Sequence, residues 1–515
     1  MSKPLTALLE AIRQAGNTPA KPSLEASKLA SLVVSGLSYD SRKVSAGDAF
    51  FCLPGEHVDG NSFAGEAAAK GAVCLFSESK TLQCPAPVVV VDDVRKALAL
   101  VANAFYENPS KRLRLLGVTG TNGKTTTTHL VKHILNHAGK RAGLIGTLGS
   151  HWTAADGRVH ADECGYTTPQ APELQHTLST MLKDEVTHAT MEVSSQALAL
   201  KRVDGCHFAS ACLTNITQDH LDFHKTMEQY WQAKLRLFEL LNTSEATNKQ
   251  AIVNLDEPLA QQFLAALGKD IAISTLSWSA KADLRLISAN FDFAGSRLEI
   301  VTPAGECRLR LKLNGPFNVY NVMSALAICL SEGVSLDFCK EALENFSGVP
   351  GRFQIVSSNE DEVLEEPLCI VDYAHTPDGL RNILNAARTL VPPEGKLIAV
   401  FGCGGDRDTS KRPQMGEIAE DMADEVIVTS DNPRSENPEK IISEILAGIN
   451  RLSTVQVESD RAKAIERAVT CAKSKDVIVV AGKGHETYQI LADKTISFDD
   501  RDYVKSALKQ RRNVR

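Results

Sequence analysis

The segment Leu115-Leu116-Gly117-Val118-Thr119-Gly120-Thr121-Asn122-Gly123-Lys124-Thr125-Thr126 carries the strongest chemical signal in the chain. An apolar run leads into a glycine-rich turn, and a helical pattern follows from Thr125 to about Ala138. Glycines let backbone N–H groups come close to a phosphate, and the helix N-terminus adds a positive dipole end. In such a loop Lys124 supplies a point charge for the outer phosphates, and the Thr125 hydroxyl is a ligand for Mg²⁺. The spacing is Gly-x-x-Gly-Lys-Thr, because Val118 stands where the usual Gly-x-x-x-x-Gly-Lys-[Ser/Thr] pattern has its first glycine. An ordinary glycine turn with an exposed lysine is the competing reading, and the strand–loop–helix context favours the phosphate loop.

Other side chains suited to related chemistry stand further along. Glu192, in Met191-Glu192-Val193-Ser194-Ser195, ends the strand-like run His188–Met191. A carboxylate there can ligate Mg²⁺ beside a phosphate loop, or it can be a solvated strand-end charge. The run Thr214-Asn215-Ile216-Thr217-Gln218-Asp219-His220-Leu221-Asp222-Phe223-His224 is dense in ligand-type side chains. His220 is either a metal ligand or a hydrogen-bonded loop histidine, and spacing does not choose between them. Lys234 lies on the helical pattern Met227–Leu241 and by itself reads as a surface lysine. Asp431-Asn432-Pro433-Arg434, taken alone, reads as an Asn-Pro turn with a solvated arginine.

Positioning these groups takes a sizeable scaffold. The 515 residues suffice for about three domains at about 150 residues each. Breaker clusters at Glu107–Lys111 and Ser347–Gly351 divide the chain into 1–108, 109–348 and 349–515. The first block has short apolar strands at Leu32–Leu37, Ala49–Leu53, Val73–Phe76 and Val88–Val91, with helical stretches Phe63–Lys70 and Val94–Tyr106. The second opens on a strand, Arg112–Val118. The third alternates strands Leu368–Asp372, Lys396–Phe401, Glu425–Val428 and Val477–Ala481 with helices Asp378–Leu390, Pro413–Met422 and Pro438–Ile449. Strands alternating with helices of ten or more residues imply an α/β fold built on parallel sheets.

Composition narrows the function classes. Hydrophobic residues are 43% and charged residues 23%, the mix of a soluble globular protein. Lys and Arg number 56 against 63 Asp and Glu, a formal charge of −7. That balance speaks against a nucleic-acid partner, which calls for a basic footprint, and leaves room for local basic pockets. The longest apolar runs, such as Pro87–Val91, fall far short of the ~20 residues a membrane span requires. The N-terminus carries Glu10 within an amphipathic pattern unlike a signal peptide. Twelve scattered cysteines without a Cys-x-x-Cys pair read as reduced thiols of a cytoplasmic protein. The terminal Lys509-Gln510-Arg511-Arg512 run reads as a solvated helix end. No membrane partner is expected, and monomer is the default state.

Taken in order, the motifs resemble the Mur ligase family. They are Gly120-Thr121-Asn122-Gly123-Lys124-Thr125-Thr126, Glu192-Val193-Ser194-Ser195, Asn215 with Asp219-His220-Leu221-Asp222, and Tyr230 with Lys234. Gly315-Pro316-Phe317-Asn318, Gly351-Arg352-Phe353, Asp372-Tyr373-Ala374-His375-Thr376-Pro377 and Gly482-Lys483-Gly484-His485-Glu486 follow. The similarity runs from Tyr39-Asp40-Ser41-Arg42 to Glu486. It implies three α/β domains: one for a nucleotide sugar, a central P-loop ATPase and a Rossmann-like amino-acid domain. The implied activity is a step of peptidoglycan precursor synthesis, in which ATP phosphorylates a substrate carboxylate and an amino acid attacks the acyl phosphate. Asp431-Asn432-Pro433-Arg434 resembles members that add meso-diaminopimelate to UDP-MurNAc-L-Ala-D-Glu; lysine-adding relatives usually lack that arginine.

The resemblance also implies site residues. Gly120 to Thr126 and Asn318 would hold ATP, with Arg352 and His375 in a nucleotide-contacting region. Lys124, Glu192, His220 and Lys234 would be catalytic. Thr125, Glu192 and His220 would bind Mg²⁺ together with Lys234 as a CO₂-derived carbamate. Tyr39, Ser41, Glu56, His57, Val58, Thr167, Thr168, Ser194 and Arg202 would contact the UDP-sugar substrate. Leu200 stands where relatives often carry a polar contact. Arg407, Asp431, Asn432, Pro433, Arg434, Gly482 and Glu486 would bind diaminopimelate. Lysine lacks the distal carboxylate and would leave Arg434 unpaired, a defect that a charged site penalises by about 10⁴ in favourable cases. The alternatives are a lysine-adding ligase, which Arg407 and Arg434 disfavour, and a folylpolyglutamate synthase, which the N-terminal block disfavours. A P-loop ATPase driving motion would hydrolyse ATP without an amino acid. A non-catalytic nucleotide-binding regulator would have no use for Lys124, Thr125, Glu192, His220 and Lys234 together.

Overall fold

Short apolar runs bounded by turns become the buried strands of three mainly parallel sheets. The computed structural model describes residues 1–16, 26–55, 58–162, 165–279, 281–292, 294–358 and 366–514. In the first sheet Gly36–Ser38, Asp48–Phe51, Cys74–Ser77 and Val88–Val90 lie side by side, all parallel. Period-two alternation sends Ala49 and Phe51 to one face, against helices Leu5–Gln14 and Val94–Phe105, and Phe50 and Cys52 to the other, against Ala64–Ala69. The apolar run Leu32–Leu37 is divided: Val33–Val34 pairs with Lys3–Pro4, while Gly36–Ser38 joins the sheet.

Arg114–Thr119 lies at the heart of the second sheet, between His188–Glu192 and Phe208–Leu213 and parallel to both. Ala142–Gly146 extends one side; Gln250–Asn254, Ala272–Ser277 and Leu284–Asp292 extend the other. Helices Lys124–His137 and Pro316–Ser331 cover one face, and Ala171–Lys183 and Met227–Thr243 the other. Val118 is paired with both Glu192 and Cys212. The turn after Thr119 therefore leaves the sheet between two strand ends, the crevice where open α/β sheets bind ligands. Two antiparallel additions lie outside the β/α alternation: the hairpin Gly149–Thr153 with Val159–Asp162, and the strands Gly295–Thr302 and Gly305–Leu311 that follow Leu284–Asp292.

The third sheet runs Gln354–Val356, Leu368–Asp372, Val477–Ala481, Leu397–Phe401, Glu425–Val428, Val455–Val457, with only the first antiparallel. Helices Pro377–Arg388, Lys411–Met422 and Pro438–Leu446 pack on one face, and Arg461–Cys471 and Asp500–Val514 on the other. Both faces being covered explains why these strands read as uninterrupted apolar runs. Among the described residues, no helix is long and apolar enough to cross a membrane.

Candidate active site

The loop after Thr119 is built around close backbone approaches. Gly120 has φ +149° and Gly123 φ +88°. A Cβ at Gly120 would collide with Thr214 Oγ1, and one at Gly123 with Asn321 Oδ1, so only glycine fits either place. Asn215 clamps the turn: its Oδ1 accepts from Asn122 N at 2.9 Å and its Nδ2 donates to Asn122 O at 3.1 Å. Thr121 N donates to Asn215 O at 2.8 Å, and Thr121 Oγ1 lies 2.9 Å from Tyr230 OH.

Two lysines converge on this loop. Lys124 Nζ donates to Gly120 O and Thr121 O, each at 2.8 Å, and Lys234 Nζ donates to the same Gly120 O at 2.8 Å. Lys234 is 1% exposed, not a surface lysine, and its ammonium stands 4.5 Å from the Tyr230 ring. Burial lowers the pKa of both amines. For Lys234 the shift is large and the Lys124 charge adds to it; for Lys124, Glu192 and Asp219 oppose it.

Glu192 ends its strand fully buried, not as a solvated charge. Its carboxylate accepts from Thr125 Oγ1 at 2.9 Å, Thr147 N at 2.9 Å and Thr147 Oγ1 at 3.0 Å. Arg352 Nη2 donates to Thr125 Oγ1 at 3.2 Å from the third sheet's side. His220 sits in left-handed backbone with φ +54°, its Nε2 3.3 Å from Asp219 Oδ2. Burial lowers its pKa, Asp219 works against that, and Lys234 and Lys124 reinforce it. The imidazole is thereby kept toward its neutral, metal-ligating form. Thr125, Glu192, His220 and Lys234 thus offer a hydroxyl, a carboxylate, an imidazole and an amine around one loop. Among the described residues, no group of three or more His, Cys, Asp or Glu side chains is arranged to hold a metal alone.

The loop opens on a cleft of about 480 Å³ that extends to Asn318, Tyr320 and Asp256. Asn318 is buried, donating to Asn314 O at 2.7 Å and accepting from Asn321 Nδ2 at 2.9 Å. Its roof comes from the third sheet. Asp378 Oδ2 accepts from Asn122 Nδ2 at 2.8 Å and Thr217 Oγ1 at 3.0 Å. The Arg352 guanidinium stacks 4.5 Å over the Tyr373 ring. Burial, with Lys411 adding to it, lowers His375 to about 4.

A second cluster adjoins Glu192. Thr168 Oγ1 donates to Glu192 O at 2.8 Å and accepts from Ser194 N at 3.0 Å, and Thr167 Oγ1 lies 3.1 Å from Thr147 Oγ1. Arg202 donates to Thr168 O at 3.0 Å and stacks 4.7 Å over Tyr166. The first sheet reaches this cluster through Tyr39, whose hydroxyl donates to Glu173 Oε1 at 2.8 Å. Burial and Glu173 raise the Tyr39 pKa, while Arg202 is near enough to oppose them. Ser41 is buried and bonded to Glu66 at 3.0 Å, Val58 is exposed, and Glu56 and His57 lie outside the described residues. Leu200 closes helix Ser195–Ala199 as its C-cap.

The third cluster joins three loops at strand ends of the third sheet. Two arginines approach Gly404: a Cβ there would stand 2.9 Å from Arg434 Nη1 and 3.8 Å from Arg407 Cγ, while the exposed Arg407 donates its Nη1 to Asp406 O at 3.0 Å. Arg434 has φ +51°, and its Nη1 donates to Gly405 O at 2.7 Å. Pro433, next to it, is buried. Asn432 Nδ2 donates to Glu486 Oε2 at 2.9 Å, and a Cβ at Gly482 would lie 2.7 Å from Asp431 Oδ2. This cluster connects to the phosphate loop. The His485 and Tyr373 rings lie 4.9 Å apart, Tyr373 underlies Arg352, and Arg352 reaches Thr125.

Sequence reasoning does not single out Thr147 or Asp378, each without a diagnostic spacing, and it gives Lys483, inside the motif Gly482-Lys483-Gly484-His485-Glu486, no role of its own. Lys234 did leave a signal. On its helix Tyr230, Ala233, Lys234, Leu237, Phe238 and Leu241 are the buried positions, so the lysine sits on the apolar stripe.

Comparison with known proteins identifies the family. Three family models match: "Mur ligase family, catalytic domain" over residues 33–106, "Mur ligase middle domain" over 118–329, and "Mur ligase, glutamate ligase domain" over 351–484. The UDP-N-acetylmuramoyl-L-alanyl-D-glutamate–2,6-diaminopimelate ligase of Gloeobacter violaceus is 45% identical over 496 residues, covering 96% of this chain and 98% of that protein. A ligase of the same name, numbered 1, from Clostridium acetobutylicum is 43% identical over 480 residues, covering 93% of this chain and 95% of that one. A solved structure of a UDP-N-acetylmuramoyl-L-alanyl-D-glutamate–2,6-diaminopimelate ligase superposes with a TM-score of 0.66 at 34% identity, covering 93% of this chain and 95% of the other. With both sequence and fold matched along nearly its whole length, the chain belongs to the Mur ligase family.

Proposed function

We propose that this protein joins meso-2,6-diaminopimelate to UDP-N-acetylmuramoyl-L-alanyl-D-glutamate with cleavage of ATP to ADP and phosphate, a step of peptidoglycan precursor synthesis. One observation carries the reading. Arg434 and Arg407 both approach Gly404, and their cluster, tied to the 482–486 loop by Asn432 and Glu486, leads through His485, Tyr373 and Arg352 to the phosphate loop at Thr125. A triphosphate site and a site for a doubly zwitterionic amino acid thus belong to one centre. Residues 1–108 would hold the uridine nucleotide, 109–348 ATP, and 349–515 the incoming amino acid.

The chemistry follows from charge. A carboxylate is a poor electrophile because expelling oxide is prohibitive; transfer of the γ-phosphoryl group to the D-glutamyl γ-carboxylate supplies a leaving group. The diaminopimelate amine then forms the C–N bond, and phosphate departs from a tetrahedral intermediate. Two anions must meet first, so cations and fixed geometry do most of the catalytic work. Lys124 and Arg352 face that charge, and Asn318 lies where the adenine would rest. Thr167, Thr168, Ser194 and Arg202 orient the nucleotide-linked peptide beside Glu192, with Tyr39 and Ser41 contributing from the first sheet. Arg434 and Asn432 take the distal carboxylate, Arg407 another carboxylate, and Glu486 with the Gly482 carbonyl the distal ammonium.

The donor set suits Mg²⁺, a hard cation that uses one or two carboxylates together with phosphate oxygens. Thr125, Glu192 and His220 would hold it, and when bound it screens phosphate and carboxylate charge. Lys234 fits a carbamate ligand: burial and Lys124 favour its neutral amine, the form that adds CO₂ with loss of a proton. The described cysteines are all unpaired, which suits a cytoplasmic enzyme, and we expect a monomer.

The test is phosphate release from ATP with Mg²⁺ and the UDP-linked dipeptide, offering meso-diaminopimelate, L-lysine or L-ornithine in turn. Release should depend on diaminopimelate. Equal turnover with lysine, or release without any amino acid, would overturn the proposal.

A further inference from the structure

We propose that Lys483, which the reaction itself does not require, is the positioning residue that sets the acceptor's ammonium subsite. The inference rests on the reading of residues 407, 431–434, 482 and 486 as the acceptor site. Lys483 is completely buried, a costly place for an ammonium unless it is paired. Its Nζ donates to Asn432 Oδ1 at 3.0 Å and to Glu486 Oε2 at 2.9 Å, with Asp431 Oδ1 at 3.9 Å and the Tyr488 ring centre at 5.6 Å.

Two consequences follow from donor and acceptor chemistry. An ammonium only donates, so Lys483 fixes which end of the Asn432 amide faces it. Oδ1 accepts from Lys483 and from Ile490 N at 2.9 Å, and the NH₂ group is turned toward Glu486. One N–H of the amide goes to Glu486, and the other is left for a ligand carboxylate beside Arg434. Second, both protein donors to Glu486 meet on Oε2. The carboxylate's rotation is thereby set, and Oε1 is left to accept from a ligand ammonium.

Charge points the same way. Asp431 and Glu486 are two carboxylates within 4 Å of one buried ammonium, a net charge of −1 that a single ligand ammonium neutralises. Arg461 closes the far side, donating to Asp500, Ser430 O and Ala481 O. Without Lys483 the two carboxylates repel each other and Glu486 loses its fixed orientation. Recognition of the distal ammonium then weakens, while recognition of the distal carboxylate by Arg434 persists.

The experiment compares meso-diaminopimelate with 2-aminopimelate, which keeps the distal carboxylate and lacks the distal amine. In Lys483→Gln, KM for diaminopimelate should rise at least tenfold and kcat less than threefold, with KM for ATP and the UDP-linked dipeptide within twofold of wild type. The ratio of kcat/KM for diaminopimelate over 2-aminopimelate should fall at least fivefold. A purely structural role would lower both acceptors in parallel and leave that ratio unchanged, which would overturn the inference. Glu486→Gln separates the two levels. If it leaves the ratio unchanged, the acceptor reading fails; if it lowers the ratio and Lys483→Gln does not, only the role of Lys483 fails. Should the single variant not fold, Lys483→Met combined with Glu486→Gln removes both charges of the pair. That double variant should match the ratio of Glu486→Gln alone, and a further drop would refute action through Glu486.

Discussion

Replacing Arg434 by methionine removes a fork of N–H donors while keeping most of the side chain's bulk. In the protein Nη1 spends one donor on Gly405 O at 2.7 Å, and the remaining donors are free to meet a carboxylate over Gly404. A hydrogen bond to a charged group contributes about 1.5–3 kcal/mol, and truncating one partner of a desolvated charge pair costs about 2–5 kcal/mol. Arg434 is only partly buried, so the lower part of that range applies. A loss of about 3 kcal/mol corresponds to roughly a hundredfold fall in kcat/KM for meso-diaminopimelate. The fall should appear mostly in KM for the amino acid, because the carboxylate proposed for Arg434 is remote from the new bond. KM for ATP should stay within twofold, since Arg434 bonds to Gly405 O and the contact to the phosphate loop at Thr125 is made by Arg352. Turnover with lysine should hold steady or improve, because the variant no longer leaves a guanidinium unpaired. Steady-state phosphate release with each acceptor measures all three quantities. A parallel rise in both KM values, or an undiminished preference for diaminopimelate over lysine, would refute the reasoning.

Gly123→Ala should weaken ATP binding at least thirtyfold while leaving the fold intact. The new Cβ meets Asn321 Oδ1 at a residue with φ +88°, so the loop must shift; isothermal titration with ATP reads the affinity, and wild-type binding would count against the built loop. Stability should fall as pH drops below about 6.5. Burial lowers His129 and His485 to about 3 and His375 to about 4. Their folded pKa values lie below the unfolded one, so the stabilisation is full above pH 6.5 and is lost as pH falls toward 3, where the unfolded chain binds more protons. Each such histidine adds about 1.4 kcal/mol per pH unit to the slope. Urea titrations of His129→Asn between pH 4 and 6.5 should show a slope shallower by about that amount; an unchanged slope would mean that His129 is protonated in the folded protein.

What could be read without coordinates follows physical lines. Leu368–Asp372, Glu425–Val428 and Val477–Ala481 appear with the expected bounds because strands covered on both faces are apolar throughout. Leu284–Asp292 carries no such signature, because its side chains alternate between cover and solvent for much of its length, so no continuous apolar run marks it. The phosphate loop was legible because its constraints are local: two glycines, a lysine and a helix start within a few residues. Thr147 and Asp378 were not, since each acts on a group far away in sequence, Glu192 in one case and Asn122 in the other. Lys234 lies between these cases. Its place on the buried stripe was written in the helix period, but what it meets there, Gly120 O, depends on how the sheet brings the helix against the loop.

The links between the second and third sheets bear on how wasteful hydrolysis is avoided. Phe317 packs on Phe353 at 6.0 Å between ring centres, and the polar contacts are Arg352 to Thr125, Asn122 to Asp378 and Thr217 to Asp378. Individual hydrogen bonds of this kind contribute about 0.5–1.5 kcal/mol, or up to about 3 when charged, and interfaces between domains commonly permit relative motion. Every one of these polar contacts ends on the phosphate loop or the segment that clamps it. Docking the third domain and completing the charge environment of the triphosphate are therefore one event, not two. On the proposed reading, an amino acid held by Arg434 and Glu486 would add its binding energy to the same docking, because that cluster continues through His485 and Tyr373 to Arg352. Phosphoryl transfer is then fastest when the acceptor is already in place, the condition under which an acyl phosphate is captured by an amine before water reaches it.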